Sequence, residues 1–171
     1  MGRHGEPRIP GHPPVVGRSG TYALVLTPPP HRAVRIGRLG VLRTEAAHYV
    51  YVGSAFGPGG VAARVRGHLA SSRAPHWHID YLRRIAAIDE VWYTYDPSRR
   101  EHDWAGVLAR FEEAVLPLAG FGASDCRCAS HLVAFPSCPS LARFRRRVRT
   151  AHPGHGPIHH LIPEDREGEK R

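Results

Sequence analysis

Cysteine, lysine and long apolar runs are all scarce in this chain. Only three cysteines, Cys126, Cys128 and Cys138, occur in 171 residues. An odd count with no spacing framework excludes a small secreted scaffold stapled by disulfides. No apolar run reaches the ~18 residues that a membrane-spanning helix needs. The first residues carry Pro and Gly but no apolar segment of the signal-peptide kind. A soluble, cytoplasmic protein is the resulting expectation. Lysine is nearly missing, so the basic residues are almost all arginine.

What is present is positive charge. Lys+Arg number 24 against 15 Asp+Glu, a formal charge of +9. Arginine offers a planar fork of donors that fits a phosphate, whereas lysine acts more as a point charge. The surplus is compatible with a polyanionic partner, and equally with an arginine-rich proteome. The length suits one domain with tails. Hydrophobic residues at 42% supply a core.

Residues 1–18 hold Pro7, Pro10, Pro13 and Pro14 without any periodicity, and read as a flexible arm. Gly20–Leu26 is rich in strand formers and stops at Pro28-Pro29-Pro30. Ala33 to Leu42 is a short hairpin or an irregular arm. His48–Ser54 is a second strand. After the turn Gly57-Pro58-Gly59-Gly60, Val61, Val65 and Leu69 form one stripe of a helix over 61–71. A second helix is expected over 78–87 and a third strand over 90–95. Ser98, with Glu101 three residues on, has the pattern of a capping box for a third helix running to about Leu116. Leu132–Phe135 is a short strand candidate, and Leu141–Val148 a basic helix. From residue 151 the chain turns to Pro, Gly, His and charge, and disorder is expected over 151–171. The domain thus spans 19–150, mixed in class with a small sheet.

Arg64 and His68 are four residues apart and share a helix face, beside the apolar stripe. There Arg64 could clamp a phosphate through two parallel bonds, or both could be solvated surface residues. Tyr22 and Tyr51 fall centrally in separate strands. A phenol is a poor base unless a cation lowers its pKa, so they are either site residues or sheet packing. Gly53 would let a backbone or ligand approach closely. The missing component is a carboxylate. On the third helix Glu101 borders the buried stripe of Trp104, Val107, Leu108 and Phe111, with Glu112 its rival. One carboxylate with open water positions suits a single Mg²⁺ or Mn²⁺. Glu101 as a mere helix cap is the alternative.

Together Gly20-Thr21-Tyr22, Tyr51-Val52-Gly53, Arg64 and His68 resemble the signature of the GIY-YIG nuclease superfamily. The runs 48–55, 64–69, 76–82 and 120–132 are similar to an uncharacterised, DUF123-like branch sometimes fused to endonuclease III-like proteins. The resemblance covers about 20–135. It implies an α+β fold with a small three-stranded antiparallel sheet flanked by helices, here with a C-terminal extension carrying the short strand and basic helix. It implies a metal-dependent DNA endonuclease, with a repair or processing role and a functional link to a base-excision glycosylase. Residue by residue, Tyr22 would be the general base, and Tyr51 a pocket residue. Gly53 would close the second triplet, Arg64 would stabilise the transition state, and His68 would hydrogen-bond. Glu101 would hold the metal. The first triplet departs from the family by Thr21 for isoleucine, and the insert 27–47 is long. A non-catalytic nucleic-acid module and a protein-interaction domain are the competing readings.

Gly20, Gly53, His76 and His78 complete the expected pocket. His76-Trp77-His78-Ile79-Asp80 is either a second site or a capped helix start with Trp77 in the core, and the core reading is preferred. Cys126-Arg127-Cys128 with His131 has too tight a cysteine spacing for an ordinary zinc site. A packed, reduced turn is expected, with Asp125 bonding local amides. Arg66, Arg143, Arg146 and Arg147 are the expected phosphate contacts that position a duplex without reading its bases.

Overall fold

β1 (Gly20–Leu26) carries the strand formers Thr21, Tyr22 and Val25 and no charged residue, and all seven of its residues are buried. Such a strand has no solvent face and must lie in the middle of a sheet covered on both sides. A computed structural model, which describes residues 14–45, 47–70 and 74–163, shows that arrangement. β1 is flanked by β4 (His48–Ala55) and β5 (Ile88–Thr94), both antiparallel. β6 (Leu132–Phe135) and β7 (His159–Leu161) add the outer strands, giving the order β6-β4-β1-β5-β7. The sheet therefore has five strands where three are expected. The two edges of the three-strand core are covered by chain that follows it in sequence. A separate hairpin pairs β2 (Ala33–Ile36) with β3 (Gly40–Arg43), settling the choice between hairpin and irregular arm.

Side chains alternate across the sheet. Tyr22, Leu24, Tyr51 and Val91 face one side. There they meet α1 (Gly60–Leu69), α2 (His78–Arg83) and the hairpin through Val61, Val65, Ile79, Leu82, Ile36 and Leu42. Ala23, Val25, Val50, Val52 and Trp92 face the other side. They pack on α3 (Glu101–Ala109) and α4 (Leu141–Ala151). Phe144 of α4 lies 5.1 Å from both Trp92, stacked, and Trp104, edge-on.

Several boundaries differ from expectation for identifiable reasons. α2 ends at Arg83 rather than Ala87, because Ile85 N–H turns back to the Leu82 carbonyl at 3.1 Å. α3 is capped by Arg100, not Ser98, and its cap residue supplies no side-chain bond. It stops at Ala109, well before Leu116. Phe111 N–H bonds the Leu108 carbonyl, and Val115 pairs with Ala134 at the sheet edge.

The expected arm is held from residue 14 onward: Val15 is buried, and Val16 N–H donates to the Tyr95 hydroxyl at 2.8 Å. Residues 1–13 lie outside the described residues. Residues 151–163 are also ordered rather than disordered. His159 stacks on Tyr93 at 5.2 Å, and Trp104 Nε1–H donates to His155 at 2.8 Å. Histidine here serves as an aromatic packing residue, which a reading of charge and Pro/Gly content misses. Residues 164–171 lie outside the described residues. No described helix is long and apolar enough to cross a membrane.

Candidate active-site cleft

Three element ends converge on one cleft. The register sets Tyr22 opposite Gly53. A Cβ on Gly53 would lie 2.4 Å from the Tyr22 ring and hydroxyl. The glycine therefore makes room for the phenol itself, and the close approach is by side chain. Behind Tyr22 stands His68, one turn beyond Arg64 on α1, with Nε2 2.7 Å from the Tyr22 hydroxyl. His68 is buried, and its carbonyl accepts from Arg83 at 2.8 and 3.0 Å. The last turn of α1 is thus fixed from both sides.

α1 enters from the Gly59–Gly60 corner. Both glycines have positive φ, 76° and 53°, and a Cβ on Gly60 would meet the Arg18 carbonyl at 2.1 Å. Val61 N–H donates to that same carbonyl. Arg64, half-buried, then points into the cleft with its guanidinium 5.7 Å from the Trp77 ring. Among the described residues it has no hydrogen bond or ion pair.

Glu101 arrives from the sheet's other face. Asp96 fixes the start of α3: it accepts from Ser98 N–H at 2.9 Å and Gly156 N–H at 2.8 Å, and pairs with Arg100 at 3.2 Å. Burial by itself would raise the Asp96 carboxyl. The two amides and the guanidinium outweigh it and hold the group below its ordinary value. Arg100 N–H also donates to Thr21 Oγ1 at 3.1 Å, tying the helix to β1. Glu101 consequently faces the cleft with Oε2 buried and without a partner among the described residues. Its Oε1 lies 3.7 Å from His102 Nε2.

The cleft, about 560 Å³, contains Tyr22, Tyr51, Gly53, Arg64, His76, His78 and Glu101 in its lining. His68 reaches it through Tyr22. Gly20 does not line it: a Cβ there would sit 1.9 Å from the Thr94 carbonyl, so the glycine serves strand packing. Glu112 lies past the end of α3 and is exposed. His78 Nδ1 accepts from Gly122 N–H at 2.9 Å, holding the 120–131 loop, and burial lowers its pKa. Asp80 accepts from the N–H groups of His76 and Trp77, so the capping reading of that run holds. Trp77 is not in the core; it is 48% exposed and lines the cleft.

Burial raises both phenols, Tyr22 well above its ordinary value. The second phenol adds to the shift at Tyr22, and at Tyr51 the Asp80 and Glu101 charges do so. Arg64 opposes both shifts without reversing them.

Sequence reasoning missed Arg99. It lines the cleft, bonds Ser54 Oγ at 3.2 Å and lies over Phe56 at 4.7 Å. Asp125 also lines the cleft, exposed, and makes none of the expected amide bonds. A second groove of about 350 Å³ shares Arg64 and Trp77 and adds Arg83 and Arg84.

None of Arg66, Arg143, Arg146 or Arg147 lines the cleft. Arg143 pairs with Glu113 and covers Phe111, and Arg147 also lies over Phe111. α4 itself packs on the opposite face of the sheet.

Residues 21–152 match the family model described as Domain of unknown function DUF123. No curated protein and no solved structure matches the chain.

Proposed function

The chain belongs to the DUF123 family, and from that premise we propose that its cleft hydrolyses DNA phosphodiester bonds as a metal-dependent endonuclease of the GIY-YIG kind. The observation that carries the reading is a guanidinium and a carboxylate oxygen that share one cleft and lack hydrogen-bond partners among the described residues. Among the described residues the Arg64 guanidinium is without an anion and Glu101 Oε2 without a donor, beside the Tyr22–His68 bond. A phosphodiester with its counter-cation satisfies both. The resemblance of the two triplets supplies the reaction class.

The residues present fit one oxygen-preferring ion. Glu101 lines the cleft and has one carboxylate oxygen without a hydrogen-bond partner among the described residues, a donor that suits Mg²⁺ or Mn²⁺ with waters completing its shell. Held by Glu101, such an ion would supply Lewis acidity for the phosphoryl oxygen and charge neutralisation for the leaving group. Arg64 binds two phosphate oxygens and stabilises the charge that grows on them during attack. Water attacks phosphorus, and the bond to the leaving oxygen breaks.

The base must reckon with burial. A phenol held above its ordinary pKa is neutral at pH 7 and cannot simply accept a proton. It can do so in relay: Tyr22 gives its hydroxyl proton to His68 Nε2 at 2.7 Å while taking one from the attacking water. The imidazolium so formed lies in the last turn of α1, where the helix dipole favours a cation. Tyr51 lines the pocket. Exposed Trp77 offers a face for a base to stack on, and the groove with Arg83 and Arg84 extends the positive surface along a strand. A role in DNA repair, in partnership with a base-excision glycosylase, belongs to the same proposal.

The non-catalytic nucleic-acid module has one observation in its favour, the same elevation of both phenols. Flapped, branched, abasic and plain duplexes incubated with Mg²⁺ or Mn²⁺ separate the two readings. The nuclease reading expects metal-dependent nicks that fall about 10²–10³-fold in Arg64→Ala and are lost in Glu101→Gln, with DNA binding retained. DNA binding without any cleavage would select the module, and no DNA binding at all a protein-interaction domain.

A further inference from the structure

Between the end of α3 and the start of β6 the chain runs through residues 110–131 with no regular strand or helix. A stretch of that length without secondary structure is uncommon in a compact domain and calls for a local tether. Its second half is closed by Gly120 N–H to the Ala129 carbonyl and His131 N–H to the Phe121 carbonyl, both 2.7 Å, with short-range turns from Ala123 to Gly120 and from Cys126 to Ala123 inside. Inside that loop Cys126 and Cys128 turn toward His131, and Cys126 Sγ stands 3.4 Å from His131 Nε2. The first turn of α3 brings His102 to the same spot, its ring 5.5 Å from that of His131.

The donor atoms of His102, Cys126, Cys128 and His131 all lie within 4.8 Å of one another. With Zn–S near 2.3 Å and Zn–N near 2.0 Å, tetrahedral ligands stand roughly 3.3–3.8 Å apart. The four atoms therefore need to close by about 1.5 Å at most. The sequence spacing argues against zinc because it supplies three ligands with a tight bite. The fold supplies the fourth, His102, from a different element.

We propose that His102, Cys126, Cys128 and His131 bind one Zn²⁺ in a closed tetrahedral site of the structural kind. Two thiolates and two neutral imidazoles are a donor set that zinc takes in preference to Mg²⁺, and no position is left open for substrate. Binding releases two thiol protons and leaves the site neutral. The ion ties the 120–131 loop to the helix turn that carries Glu101. Gly122, Ser124 and Asp125 of that loop form a wall of the cleft, so zinc sets the wall's distance from Glu101. The site stands independently of the nuclease reading.

The test is the zinc content of the full chain, purified without chelator and measured by mass spectrometry, with Co²⁺ substitution to report ligands. The expected result is about one zinc per chain, and a cobalt protein with thiolate charge-transfer and tetrahedral d–d bands. Cys128→Ser should weaken the charge-transfer band and lose zinc to a chelator at least tenfold more readily. His102→Ala tests the site without risk to the core, since His102 is exposed. It should also bind at least tenfold more weakly with an unchanged circular dichroism spectrum. Glu101→Gln should keep its zinc, which separates this site from a failed nuclease reading. A chain that takes up no zinc on reconstitution overturns the proposal, as does one whose Cys128→Ser and His102→Ala variants hold zinc like the parent.

Discussion

Tyr22 shows how much one position asks of its neighbours. Its hydroxyl is buried, bonded to His68, and passes over a glycine that no other residue can replace without a 2.4 Å contact. Gly53→Ala should cost about 1–3 kcal/mol by overpacking, read as a lower unfolding midpoint, and should reduce cleavage more than it reduces DNA binding. The elevated phenols give a second prediction, in pH. Burial raises Tyr93 to about 12 and holds Tyr22 well above its ordinary value. A raised folded pKa leaves stability intact below the unfolded value near 10 and removes it as pH climbs toward the folded one. Stability should therefore be level from neutral pH to about 10 and fall above it. Absorbance titration of the folded protein should show fewer than the six tyrosines ionising near their ordinary value. A full complement titrating near 10 would show that the phenols are solvated and that no relay through His68 is needed.

At the scale of elements, α3 places the carboxylate, and Asp96 places α3. Removing Asp96 leaves Ser98 N–H and Gly156 N–H without their acceptor and leaves Arg100 with Asp103 alone. Asp96→Ala should cost about 3 kcal/mol in denaturant unfolding and impair activity through displacement of Glu101. The Asp96 carboxyl is depressed, so its contribution is present above the unfolded carboxyl pKa near 4 and is lost as pH falls through the lower folded value. Acid unfolding of the parent should be steeper than that of Asp96→Asn. The start of α3 was also poorly legible in the sequence. Ser98 and Glu101 have the pattern of a capping box, but the acceptor that orders this corner is Asp96, working through tertiary bonds to residue 156. The strands were legible because both faces of β1, β4 and β5 are apolar, and continuous runs of Val, Tyr and Trp have few other uses. Trp77 was misassigned to the core because an aromatic at a helix start has the same local pattern whether it packs inward or lines a cleft.

At the scale of the molecule, the sheet separates two functions. One face, with α1, α2 and the hairpin, carries Tyr22, Tyr51, Arg64 and His68; the other, with α3 and α4, is a packing layer from which Glu101 reaches around the strand ends. The gathering of α1 and α3 residues into one cleft was inferable from helix stripes, since each lies at the border of its buried face. The five-strand sheet was not. β7 is three residues of His and Leu in a stretch of Pro and Gly, and only its pairing with β5 makes it a strand. Truncation after residue 151 should uncover the β5 edge and the Tyr93 ring. The shortened chain should melt lower and aggregate on concentration, whereas a chain with only a disordered tail removed would not change.

In the proposed reaction Arg64 and Glu101 act on one phosphate. Its most direct measurement is single-turnover cleavage of end-labelled branched and flapped DNA in Mg²⁺, comparing the parent with Arg64→Ala at matched DNA occupancy. Parent nicking that slows about 10²–10³-fold in the variant is the predicted result. Nicking at equal rates, or a parent that binds these DNAs and leaves every one intact in either metal, contradicts it.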